Sequence, residues 1–127
     1  MNLKTVNALM AEVEDGLQGG LAAADVFSKS SGMSVAGIRS SPKACALFNI
    51  LCERIGETIK KSGLPVPDYL HQTMLRLGED GQVMIVVIDL DPKYRWGMAV
   101  DCSKASLGIL VSVVIPDTLP RLREALR

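Results

Sequence analysis

The stretch from Ser41 to Gly63, SPKACALFNILCERIGETIKKSG, constrains the fold of this chain more than any other. It reads as one long helix. Ser41 is placed to cap the first turn, and Pro42 at the first helical position gives up an amide proton that would have had no intrahelical acceptor. At the other end Lys60 and Lys61 lie beside the negative helix terminus, Gly63 can take a left-handed cap, and Pro65 and Pro67 prevent continuation. Ala44, Leu47, Leu51, Ile55 and Ile59 recur at intervals of three and four and line one face, which we assign to a sheet beneath. Cys45, Phe48 and Cys52 form a second apolar strip beside the first, leaving Asn49, Glu53, Glu57, Lys60 and Lys61 for water. A helix apolar over so wide an arc has two surfaces to cover.

The 127 residues fit one domain, residues 1–127, and can bury one core without staples. Fourteen basic residues balance fourteen acidic ones, which excludes a general electrostatic footprint for nucleic acid or an anionic membrane. The N-terminus has no uninterrupted apolar run of the signal-peptide kind. The most apolar stretch, Leu107 to Ile115, is far shorter than the roughly 20 residues of a spanning helix, so we expect a cytoplasmic protein. Cys45 and Cys52 lie about 10 Å apart along their helix, too far for a bridge; with Cys102 they read as small buried hydrophobes.

From its start the chain predicts a helix with Leu3, Val6, Met10, Val13 and Leu17 on one face, ended by Gln18-Gly19-Gly20. LAAADVFSK and MSVAGIRS, separated by Ser30, Ser31 and Gly32, predict a hairpin. After the long helix, Tyr69 to Leu77 and QVMIVVIDL flank the turn Gly78-Glu79-Asp80-Gly81, and the second of these, apolar without a break, suits an interior strand. YRWGMAVDC supplies the last strand. Leu107 to Ile115 fits a strand by its β-branched residues and a helix by its periodicity, with Ser103 a possible cap near Lys104. Pro116 is expected to interrupt either element, and Asp117 to restart a short helix with Leu119, Leu122 and Leu126 inward.

This succession, with GG before the first strand, a glycine turn ahead of SVAG, and a final strand leading to Ser106-Leu107-Gly108, resembles the roadblock/dynein light chain family, in its bacterial or archaeal single-domain form. The resemblance spans Leu3 to Leu126. It implies an α+β, profilin-like fold: a five-stranded antiparallel sheet between a long central helix and terminal helices, in the order α-β-β-α-β-β-β-α. It further implies a homodimer that sets two long helices side by side and joins the edge strands that follow them. On that basis Cys45, Phe48, Cys52, Ile55, Ile59, Tyr69, His71 and Thr73 are the expected dimer-interface residues, although Ile55 and Ile59 equally suit the sheet side. Such a module would be non-catalytic and would bind or regulate a Ras-like small GTPase, or serve as a structural subunit of a larger complex.

The residues themselves argue against other chemistry. His71 is the only histidine and has no partner for a nucleophilic triad. The cysteines match no zinc spacing, and GEDG places acids where a phosphate cradle needs a lysine and a hydroxyl. No cofactor is expected. Asp89, Asp91 and Asp101 read as solvated turn residues, and Arg39, Arg54, Arg76 and Arg95 as surface charges, not arginine fingers. The alternative is a small-ligand-sensing profilin-like domain, with Trp96 as a lining residue; a filled space between sheet and long helix would favour the adaptor.

Overall fold

In the computed structural model, which describes Met1–Arg127, the elements follow the expected order. Helix α1 (Leu3–Gly16) is capped by Asn2, whose Oδ1 accepts the Thr5 amide at 3.1 Å. It buries Val6, Leu9, Met10 and Val13, with Leu17 just beyond its end. Leu3, expected inward, is exposed in the first turn. Strands β1 (Leu21–Ser28) and β2 (Ser34–Ile38) form the first hairpin, and α2 spans Pro42–Lys61 with Ser41 capping the Ala44 amide. Then come β3 (Gln72–Leu77), β4 (Val83–Asp89) and β5 (Tyr94–Asp101). The expected start of β3 at Tyr69 is corrected to Gln72; the two prolines before it lie in a loop that continues through His71.

The five strands form one antiparallel sheet in the order β2-β1-β5-β4-β3, which leaves β2 and β3 as edges. Its two faces are filled very differently. On one, Ala24, Val26, Met84, Val86, Ile88, Trp96 and Met98 meet α1 and the C-terminal helix in a core of 23 buried residues. On the other, beneath α2, the buried cluster is only Phe27, Cys45, Cys52 and Val87.

The C-terminal segment is helical throughout. Three residues of α-helix, α3 (Leu107–Ile109), pass into a π-helical turn (Leu110–Val114) and then α4 (Ile115–Leu126). Two expectations are corrected here. Ser106, not Ser103, caps the start, accepting the Ile109 amide at 3.2 Å, while Ser103 is held in a turn by Asp101. Pro116 does not interrupt the helix. The π turn moves the Ile115 hydrogen bond back to the Leu110 carbonyl, and Pro116 then falls in the first turn of α4, where the proline ring is tolerated.

Candidate self-association surface

Register defines what α2 lies upon. Residues opposed across antiparallel strands share a face of the sheet. Asp25, Gly97, Val87 and Thr73 therefore form one row across β1, β5, β4 and β3. Cys45 lies by Asp25, Phe48 closes on Gly97, and Cys52 lies by Thr73. Glycine suits this position, because a Cβ would sit 3.0 Å from the Phe48 ring and 3.1 Å from that of Phe27, closer than such contacts ordinarily come. Helix α2 thus runs along this row, crossing the strands from β1 towards the β3 edge. Burial raises the thiols of Cys45, to about 12, and of Cys52, with Asp25 adding to the first shift. Both are inert core groups.

To one side of α2 the next row is charged. Asp89, 5% exposed, accepts the Tyr69 hydroxyl and pairs with Lys29, and Arg95 Nε lies 3.7 Å from it. Arg95 also donates to Asn49 at 2.6 Å and to Glu53 at 3.2 Å, and Asn49 donates to the Lys29 carbonyl at 2.9 Å. Arg123 reaches the backbone carbonyls of Asp89 and Leu90 from the other face. Asp89 is therefore no solvated turn residue, and Arg95 no simple surface charge. Tyr69 and Lys29 satisfy the carboxylate, and Asn49 and Glu53 accept from the guanidinium, in one part-buried network. The bond to Asp89 raises the Tyr69 hydroxyl above its usual range. Lys29, Cys52, Glu53, Gly56, Tyr69 and Asp89 are among the residues lining an open cleft of about 320 Å³ between α2 and the loop that follows it.

To the other side, the row Ala23, Ala99, Ile85 and Leu75 is apolar and only half-buried, and Leu77 and Val83 beyond it are exposed. Nothing in the chain lies over this shelf as α2 lies over its neighbour. The flank of α2 that overlooks it carries Ala44 and Leu51, half-buried, and Leu47, 60% exposed. Thr73 belongs to the edge strand, so the residues after Cys52 carry α2 about 13 Å past the last strand. Half-buried Ile55 and Ile59 lie in that overhang.

The two strips of the long helix are both present, with their surfaces exchanged. Cys45 and Cys52, 0% and 4% exposed, and Phe48 face the chain's own sheet, so the assignment of these three to a partner is corrected. Small thiols and Gly97 leave room for the helix on this row, and Asn49 pins its rotation. The Leu47 strip is what remains uncovered. Tyr69 is exposed apart from its hydroxyl, His71 is exposed with its carbonyl accepting the Asp89 amide, and the buried Thr73 hydroxyl finds no partner. Trp96 is fully buried in the opposite core, and the space between α2 and its row is filled by side chains. Sequence reasoning missed the charged row, although an acid closing the run IVVID was its signal.

A five-stranded antiparallel sheet carrying a long crossing helix on one face and both terminal helices on the other is the roadblock fold. Solved structures agree. Myxococcus xanthus MglB matches with a TM-score of 0.77 and 11% identity, over 98% of this chain and 89% of that one. An MglB with a tetrameric arrangement matches at 0.75 and 14%, over 96% and 87%. A Roadblock/LC7 domain from Streptomyces avermitilis matches at 0.63 and 11%, over 95% and 93%. No protein-family model matches the sequence, and no curated protein does either. No helix is long and apolar enough to cross a membrane.

Proposed function

We propose that the protein is a single roadblock-like domain that works as a cytoplasmic, non-catalytic homodimer and binds or regulates a Ras-like small GTPase. One observation carries the dimer: α2 overhangs the β3 edge at one level of the sheet, while an uncovered apolar shelf ends at that same edge at the other level. Antiparallel pairing of β3 with its copy exchanges these two levels. The overhang bearing Ile55 and Ile59 then covers the partner's shelf at Leu75, Ile85 and Ala99. The flanks at Leu47 and Leu51 meet their copies, and the open amides and carbonyls of β3 are paired. Self-association agrees with the tetrameric arrangement described for one MglB of this fold.

The outer ridge of α2, with Lys43, Ile50, Arg54 and Lys61, stays free in such a dimer and is available to another protein. Sedimentation equilibrium tests the dimer: we expect wild type to be dimeric and Leu51→Glu monomeric with an unchanged circular dichroism spectrum. A monomeric wild type defeats the proposal. GTP hydrolysis by a Ras-like small GTPase that co-purifies with the protein from its native cell, measured with and without the dimer, tests the regulatory part; a rate and an affinity both indifferent to the protein would leave only a scaffold.

A further inference from the structure

The cleft between α2 and the loop that follows it has a floor whose hydrogen-bond donors are not used up. Arg95 and Lys29 both line it, with side chains 11% and 19% exposed. The bonds to Asn49 and Glu53 both leave from Arg95 Nη1, while Nε stands 3.7 Å from Asp89, beyond hydrogen-bond reach. The protons on Nη2 and Nε therefore have no acceptor within the chain. Lys29 has Asp89 as its one partner, which leaves two of its three ammonium protons free. Asp89 itself is taken up, by Tyr69 on one oxygen and by Lys29 on the other. The floor lacks an acceptor.

The rim has the opposite need. Glu57 and Lys60 on the helix and Asp68 on the loop are exposed there, and none of them makes an ion pair or a side-chain hydrogen bond. With Lys29 set against Asp89 and Arg95 against Glu53, these three leave the cleft with one negative charge in excess. Gly56 keeps the helix wall open. A Cβ there would meet nothing within 4 Å, and its backbone is not left-handed, so packing within the chain does not call for glycine. Glycine also weakens the middle of a helix. A larger side chain at this position would stand in the cleft that Gly56 lines.

The geometry points to a binding site for a small cationic amino acid, with its carboxylate on the unused N–H groups of Arg95 and Lys29, its cationic groups at Glu57 and Asp68, and its chain passing Gly56. A carboxylate supplies the floor's missing acceptor, and a net positive charge cancels the excess at the rim. The cleft volume of about 320 Å³ is at the small end of ligand pockets and suits a single amino acid. Glutamate and phosphate would bring further negative charge to the uncommitted acids. The site goes beyond the regulatory dimer proposed above and does not rest on it: Asn49, Glu53, Gly56 and Lys60 lie on the flank of α2 opposite Leu47 and Leu51.

The test is isothermal titration calorimetry of the full chain with L-lysine and L-arginine, and with L-lysinamide, L-glutamate and inorganic phosphate for comparison. Lysine or arginine is expected to bind with a millimolar or tighter Kd. Lysinamide, which lacks the carboxylate, and glutamate, which reverses the side-chain charge, are expected to bind at least about ten-fold more weakly, the equivalent of one charge-assisted hydrogen bond. Gly56→Leu, which fills the cleft and favours the helix, is expected to abolish binding, and Glu57→Gln to weaken it about ten-fold. Both variants should keep the wild-type circular dichroism spectrum. Absence of binding by both amino acids would overturn the site, as would lysinamide binding as tightly as lysine or a Gly56→Leu variant that binds as wild type does. Phosphate binding more tightly than lysine would make the cleft an anion site and overturn it equally. A monomeric wild type that binds lysine would defeat the dimer and leave this site standing, whereas a dimeric wild type that binds neither amino acid would do the reverse.

Discussion

Arg95 donates from Nη1 to Asn49 Oδ1 at 2.6 Å, and Asn49 passes the connection on from Nδ2 to the Lys29 carbonyl at 2.9 Å. One amide side chain thus ties the middle of α2 to β5 and to the β1–β2 turn. This bond pair, more than apolar area, selects the strip of α2 that faces the sheet. Apolar area alone favours turning the broader Leu47–Leu51–Ile55 strip inward, whereas the asparagine sits beside Cys45 and Cys52 and can reach its partners only with those two beneath it.

Replacing Asn49 with alanine removes both bonds and leaves a guanidinium short of an acceptor. A loss of about 1–3 kcal/mol is expected, read from urea unfolding. Asn49→Asp, which still accepts from Arg95 but cannot donate to Lys29, is expected to lose less.

The exchange of the two strips also separates two substitutions of similar chemistry. Phe48→Glu places a carboxylate against Phe27 and Gly97 and should unfold the protein or cost several kcal/mol, with dissociation only as a consequence. Leu51→Glu changes a half-buried flank residue and should dissociate the dimer while costing the single chain under about 1 kcal/mol. Thermal unfolding and sedimentation of both variants decide this: a folded, dimeric Phe48→Glu would mean that α2 does not face the sheet as described.

Much of this architecture is legible in the residues. The hairpin turn at Ser30–Gly32, the proline-capped start of α2 and the unbroken run of β4 each follow from local chemistry, and together they set the element order. The rotation of α2 is not local. It depends on Arg95 and Lys29, far from Asn49 in sequence, and on Gly97 facing Phe48, so it follows only once register is known. Asp89 and Arg95 look solvent-facing in the sequence for the same reason: adjacency across β4 and β5 makes them a pair. The helix through Pro116 escaped because a π turn is a tertiary compromise with no propensity signal of its own.

Alkaline pH should destabilise the fold through three groups held neutral in it, Cys45, Cys52 and Tyr69, of which Cys52 is raised above its usual 9.0 by burial. Burial, reinforced by Asp25, lifts Cys45 from the usual 9.0 to about 12, and donation to Asp89 lifts Tyr69 above its usual 10.0. A group whose folded value is raised binds its proton more tightly in the native state. Its contribution is complete below the unfolded value and is lost as pH rises through the folded one. Urea unfolding at steps from pH 7 to 11 should therefore show stability level to about pH 9 and falling above it. Tyr69→Phe should make the fall above pH 10 shallower, and Cys45→Ala should remove part of it from pH 9 upward. A decline unchanged in both variants would assign it to other groups.

The contact between Phe48 and Gly97 permits a sharper test of the helix seat. A methyl at position 97 would sit 3.0 Å from one ring carbon of Phe48 and 3.1 Å from Phe27, both in a packed cluster. Gly97→Ala should cost about 1–3 kcal/mol by overpacking, and Phe48→Leu alone about 1 kcal/mol or more by leaving a void. Combined, the smaller side chain makes room for the methyl, and the double variant should be more stable than the sum of the two losses implies. A coupling of at least about 0.5 kcal/mol in a urea-unfolding cycle is expected for groups in direct contact. Simple additivity would place the Phe48 ring elsewhere, and with it the face of α2 that meets the sheet. The uncovered shelf and the overhang at β3 both depend on that face.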